Sequence, residues 1–306
     1  MKQKVGIIIV NWNGKEDTLR CLESLGKIEY DHLDLEIIVV DNGSTDASVG
    51  AIQKKYPEVT LLPLETNLGF TGGNNKGMER ALQDGCTFCW LLNNDTIVDP
   101  GALIGLVKAF SSASIGIAGS KIYFMKGREF HHDRYTESER GHVLWYAGGK
   151  IDWNNIYGSH RGVDEIDHGQ YDQQQKTDFV TGCSLLISRN CLATIGMFDD
   201  RYFAYLEDMD LSQRANLSGF ATVYAPASIV WHKNSGSTAR PGNSFHQYYM
   251  TRNRLLFGMR FGSPRTKIAL AREAFRIAIT GTAGQKHAII DAALGRWGKQ
   301  LDWQQN

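Results

Sequence analysis

The amino-acid sequence predicts an α/β fold built on a mostly parallel, doubly wound sheet. In the first half of the chain, short runs rich in β-branched residues alternate with helix-like stretches, and the loops between them are short. Such alternation favours parallel strands, because each helix carries the chain back across one face of the sheet. With 306 residues, the chain is long enough to bury a sizeable core.

Four buried strands are predicted in this half. In chain order they are VGIIIV (5–10), LEIIVV (35–40), VTLLPL (59–64) and TFCWLL (87–92). Three helices are predicted between them, because apolar residues recur there at the spacing of one helix face. These residues are Leu19, Leu22 and Leu25, then Val49 and Ile52, then Met78, Ala81 and Leu82.

The second half is less regular. From about residue 125 to 175 the chain is rich in Gly, His, Asp and Gln, which favours loops and irregular hairpins over the sheet. FVTGCSLLIS (179–188) predicts another core strand, and TVYAP and SIVWH (within 222–232) predict two short strands separated by a turn. Beyond Ser235 the pattern becomes helical and basic. We therefore expect an α/β domain over 1–235 and a basic, helical C-terminal extension over 236–306.

Composition and charge exclude several classes of protein. Apolar residues make up 42% and charged residues 22%, which is typical of a soluble globular protein. The 33 basic and 33 acidic residues balance, so no global charge points to nucleic acid. No apolar run is long enough for a signal peptide or a membrane span. The five cysteines lack the spacing of a metal site, so reduced core cysteines and a cytoplasmic location are expected.

The charge is uneven along the chain. From Arg240 to the end there are eleven Lys and Arg residues against three Asp and Glu residues. This balance suggests an anionic partner such as a membrane surface or a lipid phosphate, although a solvated basic helix face gives the same pattern. Residues 252–279 mix basic with large apolar side chains. They are expected to lie against the inner face of the plasma membrane, or to form a cap on the α/β domain or on a second subunit.

Three of the predicted strands end in polar clusters. They are NWNG (11–14), DNGSTD (41–46) and NNDT (93–96). One such cluster is ordinary turn chemistry. The carboxyl ends of parallel strands, however, meet at one edge of a sheet, where α/β proteins bind their ligands. Together the clusters predict a polar rim around a binding crevice.

Three further stretches carry candidate chemistry, each with a plainer alternative. The glycine-rich NLGFTGGNNKGMERAL (67–82) is expected to be a loop that runs into a helix and brings backbone amides close to a phosphate, or else a plain loop. FDDRYFAYLEDMDLSQRA (198–215) surrounds three carboxylates with aromatic side chains, which would fit one of them to accept a proton; otherwise it is a solvated helix face. His232 is structural, or completes with Asp95 a divalent-cation site whose other ligands are diphosphate oxygens and water.

In this order, the stretches resemble the bacterial family 2 glycosyltransferases of the inverting GT-A type. The resemblance runs from residue 5 to about 257 and includes TGCSLLISR and YYMTRNRLL. It is greatest to rhamnosyltransferase-like enzymes of cell-surface polysaccharide synthesis. It implies a Rossmann-like GT-A fold with 1–235 as the catalytic domain. It also implies a nucleoside-diphosphate-sugar donor (a UDP- or dTDP-sugar such as dTDP-rhamnose) and an acceptor hydroxyl on a glycan or a lipid-linked molecule.

The resemblance also assigns roles to individual residues. Asp208 matches the general base, and Asp95 and His232 match metal ligands, so Mn²⁺ or Mg²⁺ is implied. Asp41 would hydrogen-bond the nucleotide base, and Thr181 and Gly182 would lie near the donor sugar or the acceptor. The full set implied for the nucleotide sugar is Asn11, Asn13, Asp41, Asn67, Gly72, Gly73, Asn74, Asn93, Asn94, Thr181 and Gly182, with Gly72–Asn74 expected to form a turn.

The residues themselves also favour Asp208 among the three neighbouring carboxylates. On a helix, Asp210 is expected to pair with Arg214 four residues later. Glu207 would point away from Asp208 if the segment were extended. Asp208 is then left among aromatic side chains.

One position departs from the family pattern. The metal motif often begins with Asp, and here that residue is Asn93, whose neutral amide is a weaker ligand. Either the affinity for the metal is reduced, or Asn93 contacts only the ribose. In both cases Asp95 is the one anion of NNDT.

Two other classes of function stay open on the sequence. A non-catalytic module that binds a sugar nucleotide or a glycan would tolerate the loss of the motif's first Asp. A sugar nucleotidyltransferase would need a glycine-rich, basic loop after the first strand. Here that loop is NWNG, and no Arg precedes Arg20.

Overall fold

The computed structural model describes residues 3–234 and 244–300. Its first part alternates strands and helices, as the sequence predicts. The elements are β1 (Gln3–Asn11), α1 (Lys15–Leu25), β2 (Leu33–Asp41), α2 (Ser48–Lys55), β3 (Thr60–Pro63), α3 (Gly69–Gln83) and β4 (Phe88–Asn93). All four predicted strands and all three predicted helices are therefore confirmed.

Most of the elements that follow, up to the C-terminal helices, are shorter, except for two long strands. Up to the second described range they are β5 (Thr96–Val98), α4 (Ala102–Lys108), β6 (Ile115–Phe124), a 3₁₀ turn (His132–Arg134), β7 (Leu144–Tyr146), β8 (Gly149–Asp152), β9 (Tyr157–His160), β10 (Gln175–Lys176), β11 (Ser184–Ser188), α5 (Arg189–Ile195), α6 (Glu207–Leu217) and β12 (Ala221–His232). Three helices follow: α7 (Ser244–Phe261), α8 (Pro264–Thr280) and α9 (Ala283–Ala293).

The main sheet has the strand order β10-β12-β6-β11-β4-β1-β2-β3. Strands β3, β2, β1 and β4 are parallel to one another, and β12 is parallel to β6. Strand β11 lies between β4 and β6 and is antiparallel to both. The predicted mostly parallel α/β sheet is thus confirmed, with one reversed strand near its centre. As predicted for 125–175, an irregular region includes a separate hairpin of β8 and β9.

The central strands are buried on both faces, which explains their continuous apolar runs. Along β1, Ile7 and Ile9 belong to one apolar cluster, with Leu22 of α1 and Leu103 of α4. Ile8 belongs to the cluster on the other face, which includes side chains of α3, α5 and α6. The core therefore has two layers, and the sheet's edges and strand ends are left for polar groups.

Two predictions of secondary structure are wrong. The glycines at the start of the glycine-rich stretch do not lie in a loop, because α3 begins at Gly69 and includes Gly72 and Gly73. TVYAP and SIVWH are not two strands but one, β12, whose register with β6 is interrupted between Ala225 and Ile229. Pro226 lies in that irregularity, because it has no N–H to donate to a neighbouring strand.

All five cysteines are buried and free of disulfides, which confirms the prediction of reduced core cysteines. They are Cys21, Cys86, Cys89, Cys183 and Cys191.

Helix α7 packs on the α/β part of the molecule. Its Tyr248, Tyr249 and Phe257 are buried, and Phe203 stacks on Tyr249 with ring centroids 5.2 Å apart. The arrangement is that of a cap on the α/β domain. The expected boundary at 235/236 lies outside the described residues, as does the end of the extension after residue 300. Within the described ranges, no helix is both long enough and apolar enough to cross a bilayer.

The glycines of α3 are required by its close approach to β1. A Cβ atom on Gly73 would lie 2.8 Å from Val10 Cγ1, and one on Gly77 would overlap Ile8 Cγ2 still more closely. Gly77→Ala is expected to destabilise the protein by about 1–3 kcal/mol, because the helix must move off the strand.

The matched control is Gly50→Ala in α2, where an added Cβ meets no atom within 4 Å. This substitution is expected to stabilise by about 0.5–1 kcal/mol, because alanine loses less backbone entropy in a helix. Urea unfolding measures both. Equal effects of the two substitutions would show that α3 does not pack closely on β1.

Candidate active site

A buried amide–carboxylate pair joins the ends of β1 and β2. Asn11 Nδ2 donates to Asp41 Oδ2 at 2.7 Å and to Ser44 Oγ at 3.1 Å. The backbone N–H of Ser44 donates to Asp41 Oδ1 at 2.9 Å. Each carboxylate oxygen can accept a further hydrogen bond. Asp41 is thus a fixed anion at the strand end, with acceptor capacity left for a ligand.

Two more predicted residues tie neighbouring loops to this pair. Asn13 has a positive φ of 50°, and its Oδ1 accepts from the backbone N–H of Thr45 at 2.8 Å. Asn94 Nδ2 donates to Thr18 Oγ1 at 3.0 Å and approaches Asn11 Oδ1 at 3.4 Å. The three polar clusters therefore meet at one edge of the sheet, as the sequence predicts.

Asn67 organises the start of α3. Its Oδ1 accepts from the N–H of Gly69 at 2.7 Å and from Asn42 Nδ2 at 3.0 Å. Asn42 Nδ2 also donates to the carbonyl of Gly69 at 2.9 Å. Asn42 was not among the predicted site residues, although it directly follows Asp41. Its buried position shows that the amide, like Asn67, shapes the rim.

Gly72, Gly73 and Asn74 lie inside α3 and do not form the expected turn. The glycines face Leu68 and Val10, and Asn74 Nδ2 donates to the carbonyl of Phe70 at 2.9 Å. Their contacts explain helix packing. The backbone amides that this stretch offers to a ligand are instead those at the beginning of the helix.

Asp95 and His232 lie side by side. Their Oδ1 and Nε2 atoms are 3.0 Å apart. Antiparallel pairing of β5 with β12 aligns His232 with Thr96, which brings the histidine next to the strand end of β4. Asn93 is anchored from its backbone, whose N–H donates to the carbonyl of Cys183 at 2.9 Å.

Aromatic rings enclose the histidine. Trp145 packs edge-on between His232 and His160, at centroid distances of 4.6 Å and 4.4 Å. His232 Nδ1 is buried and has no hydrogen-bond partner among the described residues. Burial lowers the pKa of His160 to about 4, so that ring is neutral at pH 7. The aromatic rings on this side of His232 are therefore uncharged at pH 7.

Asp95 and His232 fit a divalent cation that takes its other ligands from a substrate. No group of three or more His, Cys, Asp and Glu side chains that could hold a metal exists in the part of the chain that the structure describes. A carboxylate suits Mn²⁺ or Mg²⁺ when phosphate oxygens and water complete the coordination, and the imidazole would add one nitrogen ligand. The nitrogen of His232 that could join Asp95 on a cation is Nε2, the atom that faces the carboxylate.

Asp208 is the second residue of α6 and lies beside the loop that precedes β11. Its Oδ2 accepts from the N–H of Gly182 at 3.1 Å, and its Oδ1 accepts from the N–H of Met209 at 2.8 Å. A Cβ on Gly182 would lie 2.8 Å from Phe70 Cζ, so a side chain is excluded there. Thr181 is buried, and its Oγ1 accepts from the N–H of Cys183 at 3.4 Å.

The three carboxylates of the acidic cluster have different environments. Asp210 is fully buried and accepts from Arg214 Nε at 2.6 Å and from Arg260 Nη1 at 2.8 Å. The predicted pair of Asp210 with Arg214 is thus confirmed. Glu207 is buried, and burial raises its pKa well above the usual range. Asp208 is half-buried, and burial raises its pKa as well, against the opposing effect of the two N–H donors. It is the accessible carboxylate of the three.

Comparison with known proteins agrees with this geometry. The family described as "Glycosyltransferase like family 2" matches residues 3–258. A curated relative, "N-acetylglucosaminyl-diphospho-decaprenol L-rhamnosyltransferase" of Mycobacterium tuberculosis, is 30% identical over 219 residues, covering 67% of this chain and 69% of that protein.

Two solved structures share the fold. The mannosyltransferase PcManGT from Pyrobaculum calidifontis, in complex with GDP-Man and Mn²⁺, has a TM-score of 0.55 at 15% identity, over 96% of this chain and 75% of that one. GalNAc-T7 with UDP, GalNAc and Mn²⁺ has a TM-score of 0.66 at 16% identity, over 95% of this chain and 54% of that one. The predicted GT-A fold is confirmed. The family match and the mycobacterial relative together show that the chain belongs to glycosyltransferase family 2.

Proposed function

We propose that the protein is an inverting, metal-dependent glycosyltransferase of bacterial polysaccharide synthesis. It moves a sugar from a nucleoside diphosphate to a hydroxyl of a glycan or a lipid-linked acceptor. The observation that best supports this proposal is that the Asp95–His232 pair and the half-buried Asp208 lie near the same strand ends. The similarity to the mycobacterial rhamnosyltransferase supports rhamnose as the sugar and a polyprenyl-diphosphate-linked acceptor.

The donor nucleotide would occupy the rim formed by the ends of β1, β2 and β4. Asp41, fixed by Asn11 and Ser44, would accept from the base. UDP and dTDP are both compatible with this contact, because uracil and thymine share the edge that it reads. The other residues of this donor site would be Asn13, Asn67, Asn93, Asn94, Thr181 and Gly182, together with the backbone amides at the beginning of α3.

Asp95 and His232 would hold Mn²⁺ or Mg²⁺ against the diphosphate. The cation would neutralise the negative charge that develops on the leaving diphosphate. With Asn93 at the first position of the motif, one carboxylate would face the metal. Metal affinity would then depend strongly on the diphosphate, which supplies the remaining charge.

Asp208 would act as the general base. As the acceptor oxygen forms its bond to the anomeric carbon, the bond from that carbon to the diphosphate oxygen breaks, and the acceptor proton passes to Asp208. A single displacement inverts the anomeric configuration. The raised pKa of Asp208 brings its carboxylate closer to the pH at which a base is efficient.

We further propose that residues 1–235 form the catalytic domain and that the extension over 236–306 contacts an anionic membrane surface. The outward face of α8 carries exposed apolar residues, of which Phe275 is 72% exposed. Arginines share that face, and the helix's one carboxylate, Glu273, pairs with Arg254 of α7 at 2.6 Å. The face consists of Arg265, Ile268, Arg272, Phe275, Arg276 and Ile279. It complements a negatively charged lipid surface, near which a lipid-linked acceptor is found.

Removing the metal is expected to abolish activity. With a panel of UDP- and dTDP-sugars, donor hydrolysis and transfer should stop in EDTA and return with Mn²⁺ or Mg²⁺. Asp95→Ala and His232→Gln should weaken binding of the nucleotide diphosphate, measured by calorimetry, only when metal is present.

The control for these variants is Asp34→Ala, at the opposite end of β2, which should bind as wild type in both conditions. Full activity in excess chelator would contradict the metal site. Metal-dependent binding without any turnover across the donor panel would favour the alternative of a non-catalytic module.

Asp208→Asn is expected to fold, to bind donor nucleotide normally, and to lose transfer by at least about a hundredfold, the scale of general-base catalysis. The amide keeps the shape of the carboxylate but cannot take the proton. Steady-state kinetics and nucleotide titration measure the two effects.

In the wild type, activity should fall on the acid side at a pH above the usual aspartate pKa of about 4, because burial raises the pKa of Asp208.

Glu207→Gln and Asp210→Asn test the neighbouring carboxylates. If either abolished transfer while Asp208→Asn stayed active, the base would be misassigned. If Asp208→Asn lost nucleotide binding, Asp208 would belong to the donor site.

The membrane contact predicts binding to anionic vesicles. The full chain should co-sediment with phosphatidylglycerol-containing liposomes at low salt, and Arg272→Glu/Arg276→Glu should bind at least about tenfold more weakly, since each basic residue near the surface contributes about 1 kcal/mol. The control is Lys27→Glu/Lys54→Glu, an equal charge change at exposed sites on the α/β domain. Equal loss in both would indicate a net-charge effect. No binding by the wild type, with dimers in solution, would assign the face to a second subunit.

A further inference from the structure

The segment that leads into α6 has an unusual backbone. Phe203, Tyr205 and Leu206 have φ values of 63°, 71° and 69°, in the left-handed region that bulky side chains rarely adopt. Leu206 is the residue that caps α6, two positions before Asp208. The local sequence does not favour this conformation, so other parts of the structure must hold it.

Asn253 of α7 holds the segment through its carbonyl groups. Its Nδ2 lies 2.9 Å from the carbonyl oxygen of Tyr202, 2.7 Å from that of Ala204 and 2.9 Å from that of Tyr205. Asn253 is fully buried, and its Oδ1 accepts from Arg252 Nε at 3.1 Å. That bond fixes the orientation of the amide, so its two N–H groups must face the segment.

Arg252 adds contacts from the same helix. Its guanidinium is fully buried and donates from Nη2 to the carbonyls of Arg201 at 2.9 Å and of Tyr202 at 3.1 Å. It also lies 4.7 Å from the ring centroid of Tyr249. Two adjacent side chains of α7 thus bind four carbonyl groups between Arg201 and Tyr205. These carbonyls belong to residues that lie outside the helices and strands.

On its other side, the segment touches the donor half of the crevice. The carbonyl of Phe203 accepts from the N–H of Thr71 at 3.3 Å, and the Phe203 ring packs on Gly69, where a side chain would overlap it. At its end, the carbonyl of Leu206 accepts the helical bond from Asp210. A shift of this segment would therefore move the first turn of α6, and with it Asp208.

We propose that Asn253, supported by Arg252, is a positioning residue that sets the Asp208 carboxylate for proton transfer. The inference rests on the proposed function, in which Asp208 is the base. Asn253 acts through the Tyr202–Leu206 backbone and not through the Asp208 carboxylate, which accepts hydrogen bonds from the N–H groups of Gly182 and Met209. It gives the C-terminal extension a part in catalysis besides that of a cap.

The primary test is Asn253→Asp, which keeps the size of the side chain and removes both N–H donors. Its kcat for transfer should fall about ten- to hundredfold, the scale of a small misplacement of a catalytic group. Donor-nucleotide affinity should change by less than about twofold, because the rim residues are untouched. Asn253→Ser, which keeps one donor, should show a smaller loss in the same direction, with rates normalised to the folded fraction.

The matched control is Glu273→Gln, which weakens a contact to the same helix. It removes the charge that pairs with Arg254 of α7 at 2.6 Å, a contact that does not involve the Tyr202–Leu206 segment. Stability should fall while kcat stays within about twofold of wild type, because the Tyr202–Leu206 segment keeps its partners. A loss of kcat equal to that of Asn253→Asp would reduce Asn253 to a stabilising contact and overturn the proposal.

A double-mutant cycle gives the decisive comparison. If Asn253 acts through the base, Asn253→Asp should cost no further kcat in the Asp208→Asn background. An additive loss would show that Asn253 acts elsewhere and would overturn the inference while leaving Asp208 as the base. If Asp208→Asn alone kept its activity, the base assignment itself would fail.

Discussion

The hydrogen bond from the N–H of Gly182 to the Asp208 carboxylate depends on the direction of one strand. Because β11 runs antiparallel to β4 and β6, its beginning lies beside the end of β4 and contributes backbone groups to that edge of the sheet. A parallel strand at this position would place Gly182 at the opposite edge. The reversed strand thus joins the polar rim, built from ends of parallel strands, to the start of α6, which presents Asp208.

The polar side chains of the rim mainly bind one another. Asn11, Asp41 and Asn94 join the ends of β1, β2 and β4, and Asn42 with Asn67 fixes the start of α3. Such a network holds its remaining donors and acceptors in place before a ligand arrives, so little reorganisation is required on binding. It also explains why the rim is rich in amides, since each amide can both donate and accept.

Much of this arrangement is predictable from local sequence. The buried strands are continuous apolar runs, and the polar clusters follow directly from them, so the sheet and its rim could be located. The direction of β11 could not, because periodicity carries no direction. Gly72 and Gly73 were misassigned because a phosphate loop and a closely packed helix require glycine equally. Asn253 lies in the YYMTRNRLL stretch, but its role could not be predicted locally, because it depends on carbonyl groups about fifty residues earlier in the chain.

The central claim is that the sugar is transferred in a single displacement, with the Asp208 carboxylate as the base. The most direct measurement is the anomeric configuration of the first product, recorded by proton NMR during transfer from the nucleotide sugar that the protein accepts. The account predicts a configuration opposite to that of the donor from the earliest time point. Retention of the donor configuration would contradict it, because retention requires a second displacement or a different mechanism.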